Sequence, residues 1–234
     1  MSQTNSSQIP AVESPSMAFL LALIAGCLNG FTYHKIKAFS TLQSGNLILL
    51  GDSIAMTDWD HLTKIIAVTI AFGLGSMTTA FIAYKELEHK RIWSYSILIT
   101  EAMILAIIAT GILNEILSIT HICLIISFIA GMQGNAFHKV KGMTYGNVAM
   151  TPVVQAAFNY LMIALFGRLQ AWLKSMVFFY VVIGFALGGL VGTIMTAYTG
   201  EKSLLSPAFI LILIFIRLLY EQKRYSKPID STYN

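Results

Sequence analysis

Apolar blocks follow one another from Met17 to Leu219, several of them long enough to cross a bilayer, with only short polar stretches between them. A helix crossing the hydrocarbon core needs about 20 mostly apolar residues. Backbone polar groups at that depth must be satisfied within the protein, which a helix does by itself. Composition agrees: hydrophobic residues make up 56% of the 234-residue chain and charged residues 11%, and the mean hydropathy is +0.71. A soluble domain runs near ~45–50% apolar and ~25% charged. The balance excludes a disordered chain, a coiled coil, a soluble globular enzyme and a nucleic-acid binder. The expected fold class is all-α, a polytopic transmembrane helical bundle over 17–220. A flexible polar tail at 1–16 precedes it and a basic cytoplasmic tail at 221–234 follows.

The net charge of +4 comes from basic residues clustered in short loops, the usual signal of membrane orientation. Cys27 and Cys123 both lie in apolar stretches, and no Cys/His spacing resembles a zinc site. Ile24-Ala25-Gly26-Cys27 looks like a lipoprotein cleavage box, but no Lys or Arg precedes it, so the Ala-Gly pair reads as a helix contact.

The expected spans are 17–33, 64–84, 92–113, 117–137, 176–198 and 204–219, with short apolar helices at 47–55 and 151–166. Charged residues 85–91 form a loop, and Asn114-Glu115 a tight turn. Trp59, Trp93, Trp172, Tyr84, Tyr198 and Tyr220 fall beside span ends, where amphipathic rings prefer the headgroup layer.

The two halves, 17–113 and 117–220, resemble each other. Ala25-Gly26 followed by His34-Lys35-Ile36-Lys37 corresponds to Ala130-Gly131 followed by His138-Lys139-Val140-Lys141. Phe72-Gly73-Leu74-Gly75 corresponds to Phe185-Ala186-Leu187-Gly188. In each half a polar, irregular stretch opens the short helix, at Ser44-Gly45-Asn46 and at Thr151-Pro152. Interrupted segments in corresponding places of a repeat point to a secondary transporter, because irregular backbone at membrane depth must be buried or line a wet cavity. A helix start there offers free N–H groups and a positive dipole end.

Basic clusters at 85–91, Lys139/Lys141, Arg168/Lys174 and Lys223/Arg224/Lys227 share the cytoplasmic side only if the short helices make no net crossing. That gives six full crossings, two short or broken helices, both termini inside, and an inverted repeat. The alternative is eight crossings with parallel repeats, the stretch 38–43 reaching mid-membrane at roughly 3.3 Å per residue; it strands about half of the basic clusters outside.

The run Phe39-Ser40-Thr41-Leu42-Gln43-Ser44-Gly45-Asn46-Leu47-Ile48-Leu49-Leu50-Gly51 resembles the signature of the YoaK-like family, bacterial integral membrane proteins with a domain of unknown function. Ala130-Gly131-Met132-Gln133-Gly134-Asn135-Ala136 is similar to that family's second motif. Ser44 stands where the family has Thr, and Thr151-Pro152 where it has Thr-Gly. The resemblance covers 17–219 and implies a bacterial cell membrane location and about six helices. It carries over no catalytic residue.

Glu101 lies mid-span, where a carboxylate is costly and faces the bundle interior, a cavity or a partner; it is the candidate proton-coupling site. Substrate-binding candidates are Gln43, Ser44, Gly45, Asn46, Asn135, Asn147, Thr151 and Gln155, with Thr144 and Asn159 as further polar lining. The competing view makes these residues interhelical glue worth about 0.6 kcal/mol each. His34 and His138 occupy matching positions beside lysines, and Arg217 snorkels at a span end. Gly188 and Gly192 give a small-xxx-small contact surface. No cofactor or metal is implied, and no nucleophile–base or metal constellation suggests an enzyme. The expected partners are the lipid bilayer and a small solute, with a homo-oligomer left open and no nucleic acid. The function expected is secondary transport of a small polar or anionic solute, possible proton coupling running through Glu101. The alternative is a structural or regulatory membrane protein; a lipid-acting enzyme and a passive channel rank lower.

Overall fold

The computed structural model describes residues 10–89 and 94–225, with side chains over 10–85 and 96–221. The helices are α1 (Pro15–Ile36), α2 (Gln43–Ala55), α3 (Trp59–His89), α4 (Ser94–Ala109), α5 (Ile119–Ala136), α6 (Met150–Leu165), α7 (Gln170–Thr199) and α8 (Leu205–Tyr225). A two-stranded hairpin, β1 (Lys139–Val140) and β2 (Met143–Thr144), joins α5 to α6. Its turn, Lys141-Gly142, has positive φ at both residues, the geometry that two-residue hairpins favour. Among the described residues, four helical stretches are long and apolar enough to cross a membrane: Pro15–Ile36, Trp59–Lys85, Ile119–Ala136 and Gln170–Glu221, the last running through α7, a 3₁₀ turn and α8. This is a membrane protein built of helices.

The halves exchange helices. α1 packs mainly on α7, and α3 mainly on α5, so the first helix of each half lies against the third of the other. Bare glycine faces permit the approach. A β-carbon on Gly184, Gly188 or Gly192 would lie 2.7, 2.0 and 2.5 Å from the carbonyl oxygens of Phe19, Leu23 and Cys27. These contacts step forward together along both helices, so α1 and α7 run parallel. The counterpart contacts set Gly75 against the Phe128 carbonyl and Gly131 against that of Phe72, where β-carbons would lie 1.9 and 2.1 Å from the oxygens. Hydroxyls and amides reinforce α3–α5: Thr79 Oγ1 donates to the Met132 carbonyl at 3.0 Å, and Asn135 Nδ2 to that of Ser76 at 2.8 Å.

The corresponding helices of the two halves oppose each other. Gln133, late in α5, donates to the carbonyl of Leu21, early in α1, at 3.1 Å. Ser127, in the first half of α5, donates to the carbonyl of Ser40, just past the end of α1, at 3.1 Å. α1 and α5 are therefore antiparallel. Lys35 Nζ, near the end of α1, reaches Glu201 Oε1 at 3.0 Å in the turn between α7 and α8. At the other end, Arg217 Nη1 late in α8 donates to Ser16 Oγ at the start of α1 at 2.8 Å.

Several expectations need correction. Residues 10–16 of the expected flexible tail are structured: Ala11–Glu13 form a buried 3₁₀ turn, and Pro15 begins α1, capped by Ser14. The Glu13 carbonyl accepts from Lys141 N at 2.9 Å and its carboxylate from Gly142 N at 2.8 Å, tying this turn to the hairpin. The expected loop at 85–91 is helical as far as His89, because Lys, Glu and Leu there all favour helix; Trp93 and the rest of that loop lie outside the described residues. The tetrapeptides at His34 and His138 do not correspond: the first is the last turn of α1, the second the hairpin. α8 continues to Tyr225, so residues 221–225 extend the last helix.

Candidate functional site

The stretch 37–42 turns back into the protein. Lys37 ends α1 in the left-handed region, with φ of 58°. Asn29 then holds the returning chain: its Oδ1 accepts from Thr41 N at 2.9 Å and its Nδ2 donates to Thr41 Oγ1. Thr32 Oγ1 accepts from Ser40 N at 3.0 Å. Asn29 sits seven residues before the end of α1, so Thr41 has descended about 10 Å from that end. Within the loop, Asn46 pairs with the Phe39 backbone through both ends of its amide, at 2.8 and 2.7 Å. The irregular backbone thus has its hydrogen bonds satisfied by buried amides and hydroxyls.

From this depth α2 runs back the way the chain came. His61 Nδ1 lies 2.9 Å from Ser53 Oγ near the end of α2, and its Nε2 donates to the Lys37 carbonyl at 3.1 Å. The far end of α2 is therefore level with the end of α1. The stretch between α5 and α6 is also held against its preceding helix. Asn147 Nδ2 donates to the Phe137 carbonyl beside the end of α5, and Val148 packs against Gly134. α6 then returns to meet α7, where Ser175 Oγ donates to the Ala157 carbonyl at 2.8 Å.

The starts of α2 and α6 meet at a cavity of about 340 Å³, lined by 41–44, Phe72 and 148–152. No side chain caps either start. In the first turn of α2, Gln43 N, Gly45 N and Asn46 N already donate to the Thr41 and Leu42 carbonyls, so what that start offers is the Ser44 N–H; with the positive ends of two helix dipoles it suits a negative or strongly dipolar group. No charged side chain lines this cavity. Gln43 Nε2 donates to the Ser40 carbonyl, and Thr41 is held by Asn29, which leaves Ser44 and Thr151 as the exposed hydroxyls of the lining, with no hydrogen bond of their own among the described residues.

The cavity therefore gathers Gln43, Ser44 and Thr151 from among the sequence candidates. Gly45 packs beneath the Phe39 ring instead. Asn46, Asn147 and Asn135 hold backbone: of Phe39, of Phe137 and of Ser76. Gln155 and Asn159 are exposed further along α6, and Thr144 is exposed in β2. Glu101 is 1% exposed in α4, with no hydrogen-bond partner among the described residues on either carboxylate oxygen. Arg217 is engaged elsewhere, donating to Glu221 Oε1 at 2.8 Å. The Ala25-Gly26 pair of the apparent cleavage box is a helix contact, with Cys27 buried.

Sequence reasoning missed Asn29, Phe72 and Gln133. An asparagine in an apolar span requires a buried partner, and that requirement was the available signal for Asn29. Phe72 carried none, since any lipid-facing residue of α3 would look the same.

In the turn between α7 and α8, burial opposes ionisation of Glu201; the Lys35 ammonium, with hydrogen bonds from the Glu201 backbone and the Asn114 side chain, outweighs it and holds the carboxyl below its ordinary range.

No curated protein and no solved structure matches the chain. A family model described as a protein of unknown function (DUF1275) matches residues 17–217, the family of membrane proteins that includes the YoaK-like proteins, and the chain belongs to it.

Proposed function

We propose that this chain is a secondary transporter that holds a small anionic or strongly polar solute between the starts of α2 and α6. The observation that carries the reading is the meeting of two uncapped, re-entrant helix starts, one from each half, at a single cavity. Six crossings in two inverted halves follow if α2 and α6 each leave on the side they entered. The antiparallel run of α1 against α5 supports the inversion. Charge supports the orientation: Lys139, Lys141, Arg168, Lys174 and Arg217 outnumber Glu13 and Glu221 toward the start of α1, whereas toward its end Lys35, Lys37, Lys64 and Lys202 are balanced by Asp52, Asp58, Asp60 and Glu201. The cationic face is then cytoplasmic, in a bacterial cell membrane. Glu101 is proposed as the proton-coupling carboxylate, since it is buried and without a partner. The role is that of a carrier, without enzymatic chemistry.

The test begins with Cys27 and Cys123 replaced and single cysteines at Lys37 or Lys141. An impermeant thiol reagent on intact cells should label the first and not the second. Labelling of both would mean parallel repeats. In proteoliposomes, gradient-driven uptake of small anions should require the purified protein; no uptake across a panel of inorganic and carboxylate anions would leave the structural role.

That second role has its own support. Asn46, Asn135 and Asn147 all hold backbone in place, as helix-joining amides would.

A further inference from the structure

A second cavity, of about 250 Å³, lies at the turn between α6 and α7, away from the helix starts just described. Tyr160, Arg168, Gln170 and Lys174 line it. Two cations share it with no carboxylate. Lys174 Nζ lies 5.4 Å from the Tyr160 ring centroid, and neither cation forms an ion pair with an acid among the described residues. Elsewhere, Lys35, Lys64 and Arg217 each have an acidic partner.

The surroundings are the second observation. Phe166 and Leu169, on either side of Arg168, are 82% and 80% exposed, and Leu165 and Leu173 are exposed as well. Trp172, half exposed, sits in the first turn of α7, at the depth where indole rings meet the headgroups. Large apolar side chains ringing two unpaired cations fit neither a free aqueous anion nor a polar protein. They fit a molecule with a phosphate beside hydrocarbon. Arg and Lys both bind phosphate oxygens through charge-assisted hydrogen bonds, and basic pockets between membrane helices accept lipid headgroups.

We propose that this pocket binds an anionic phospholipid, Arg168 and Lys174 holding the phosphodiester while Leu165, Phe166, Leu169 and Leu173 lie against its acyl chains. Because α6 forms half of the solute cavity, the lipid would also steady the far end of that helix. The lipid site does not depend on transport being correct.

Native mass spectrometry of the full chain, titrated with phosphatidylglycerol, tests it. Each cation near a membrane surface is worth about fivefold in binding. The double variant Arg168→Gln/Lys174→Gln should therefore weaken phosphatidylglycerol by roughly twenty-five-fold, whereas Arg168→Lys/Lys174→Arg should stay close to wild type. Phosphatidylcholine of the same chain length should bind more weakly, and inorganic phosphate at equal concentration should not displace the lipid. Unchanged affinity in the Gln variant, equal binding of the two lipids, or displacement by inorganic phosphate would each overturn the proposal.

Discussion

Gly131 lies so close to Phe72 that a β-carbon on it would sit 2.1 Å from the Phe72 carbonyl oxygen, and Gly26 stands in the same relation to Phe185, at 2.2 Å. Backbone cannot yield as a side-chain tip can. Gly26→Ala and Gly131→Ala should each destabilise the protein by about 1–3 kcal/mol or more, as overpacked sites do. Gly73→Ala and Gly189→Ala, where nothing lies within 4 Å of the added carbon, should be nearly neutral. Thermal unfolding of the four purified variants in detergent decides between these outcomes.

Asn29 holds the re-entrant loop through Thr41. Asn29→Leu keeps the volume and removes the bonds, leaving the Thr41 amide buried without its partner. The expected cost is about 1–3 kcal/mol. Faster labelling of a cysteine placed at Ser44 would show the loop loosening. Unchanged labelling and stability would mean that Asn29 does not hold the loop.

Glu101→Gln leaves a neutral side chain of nearly the same shape. With no partner to lose, the protein should fold with little change in stability. Under the proposed coupling, uptake in proteoliposomes should cease to respond to an imposed pH gradient while downhill exchange continues. A variant that still accumulates solute against its gradient would remove Glu101 from the coupling.

Ser44→Trp and Thr151→Trp place a large ring in the cavity from opposite halves. Both positions are exposed, so folding should survive. Uptake should fall by an order of magnitude or more in each. Retained uptake in both would mean that solute passes elsewhere.

The Lys35–Glu201 pair gives a pH dependence of known sign. The Glu201 carboxyl is held below its ordinary range in the folded protein, so the pair's contribution is complete above the unfolded value. It fades as pH falls through the lower folded value. Both side chains are partly exposed, so the effect is under about 1 kcal/mol. Lys35→Met should flatten the acid limb of stability against pH while changing little near neutrality.

Much of this arrangement was legible in the residues. The apolar blocks marked the membrane helices, and the polar breaks at Ser44-Gly45-Asn46 and Thr151-Pro152 fell within a residue of the starts of α2 and α6. Segment ends were harder, because Lys85 to His89 continue a helix beyond the apolar stretch and only propensity favours that. Which glycines face which carbonyl was not legible: a bare helix face shows in sequence, but its partner does not. The amides misled for a related reason. Asn46 and Asn147 have the chemistry of solute ligands, yet an irregular loop in lipid needs its own backbone bonded first, and that need took them.

The exchange of helices between halves sets an order of assembly. The face of α1 carrying Gly26 and Gly30 is completed only by α7, so it must wait while everything up to Thr199 is translated. At ordinary elongation rates that is on the order of ten seconds. Throughout, the groove between Leu23 and Gly30 needs a temporary occupant, whether lipid, insertion machinery or a neighbouring helix. α1, made well before its partner α7, is among the last to find its place.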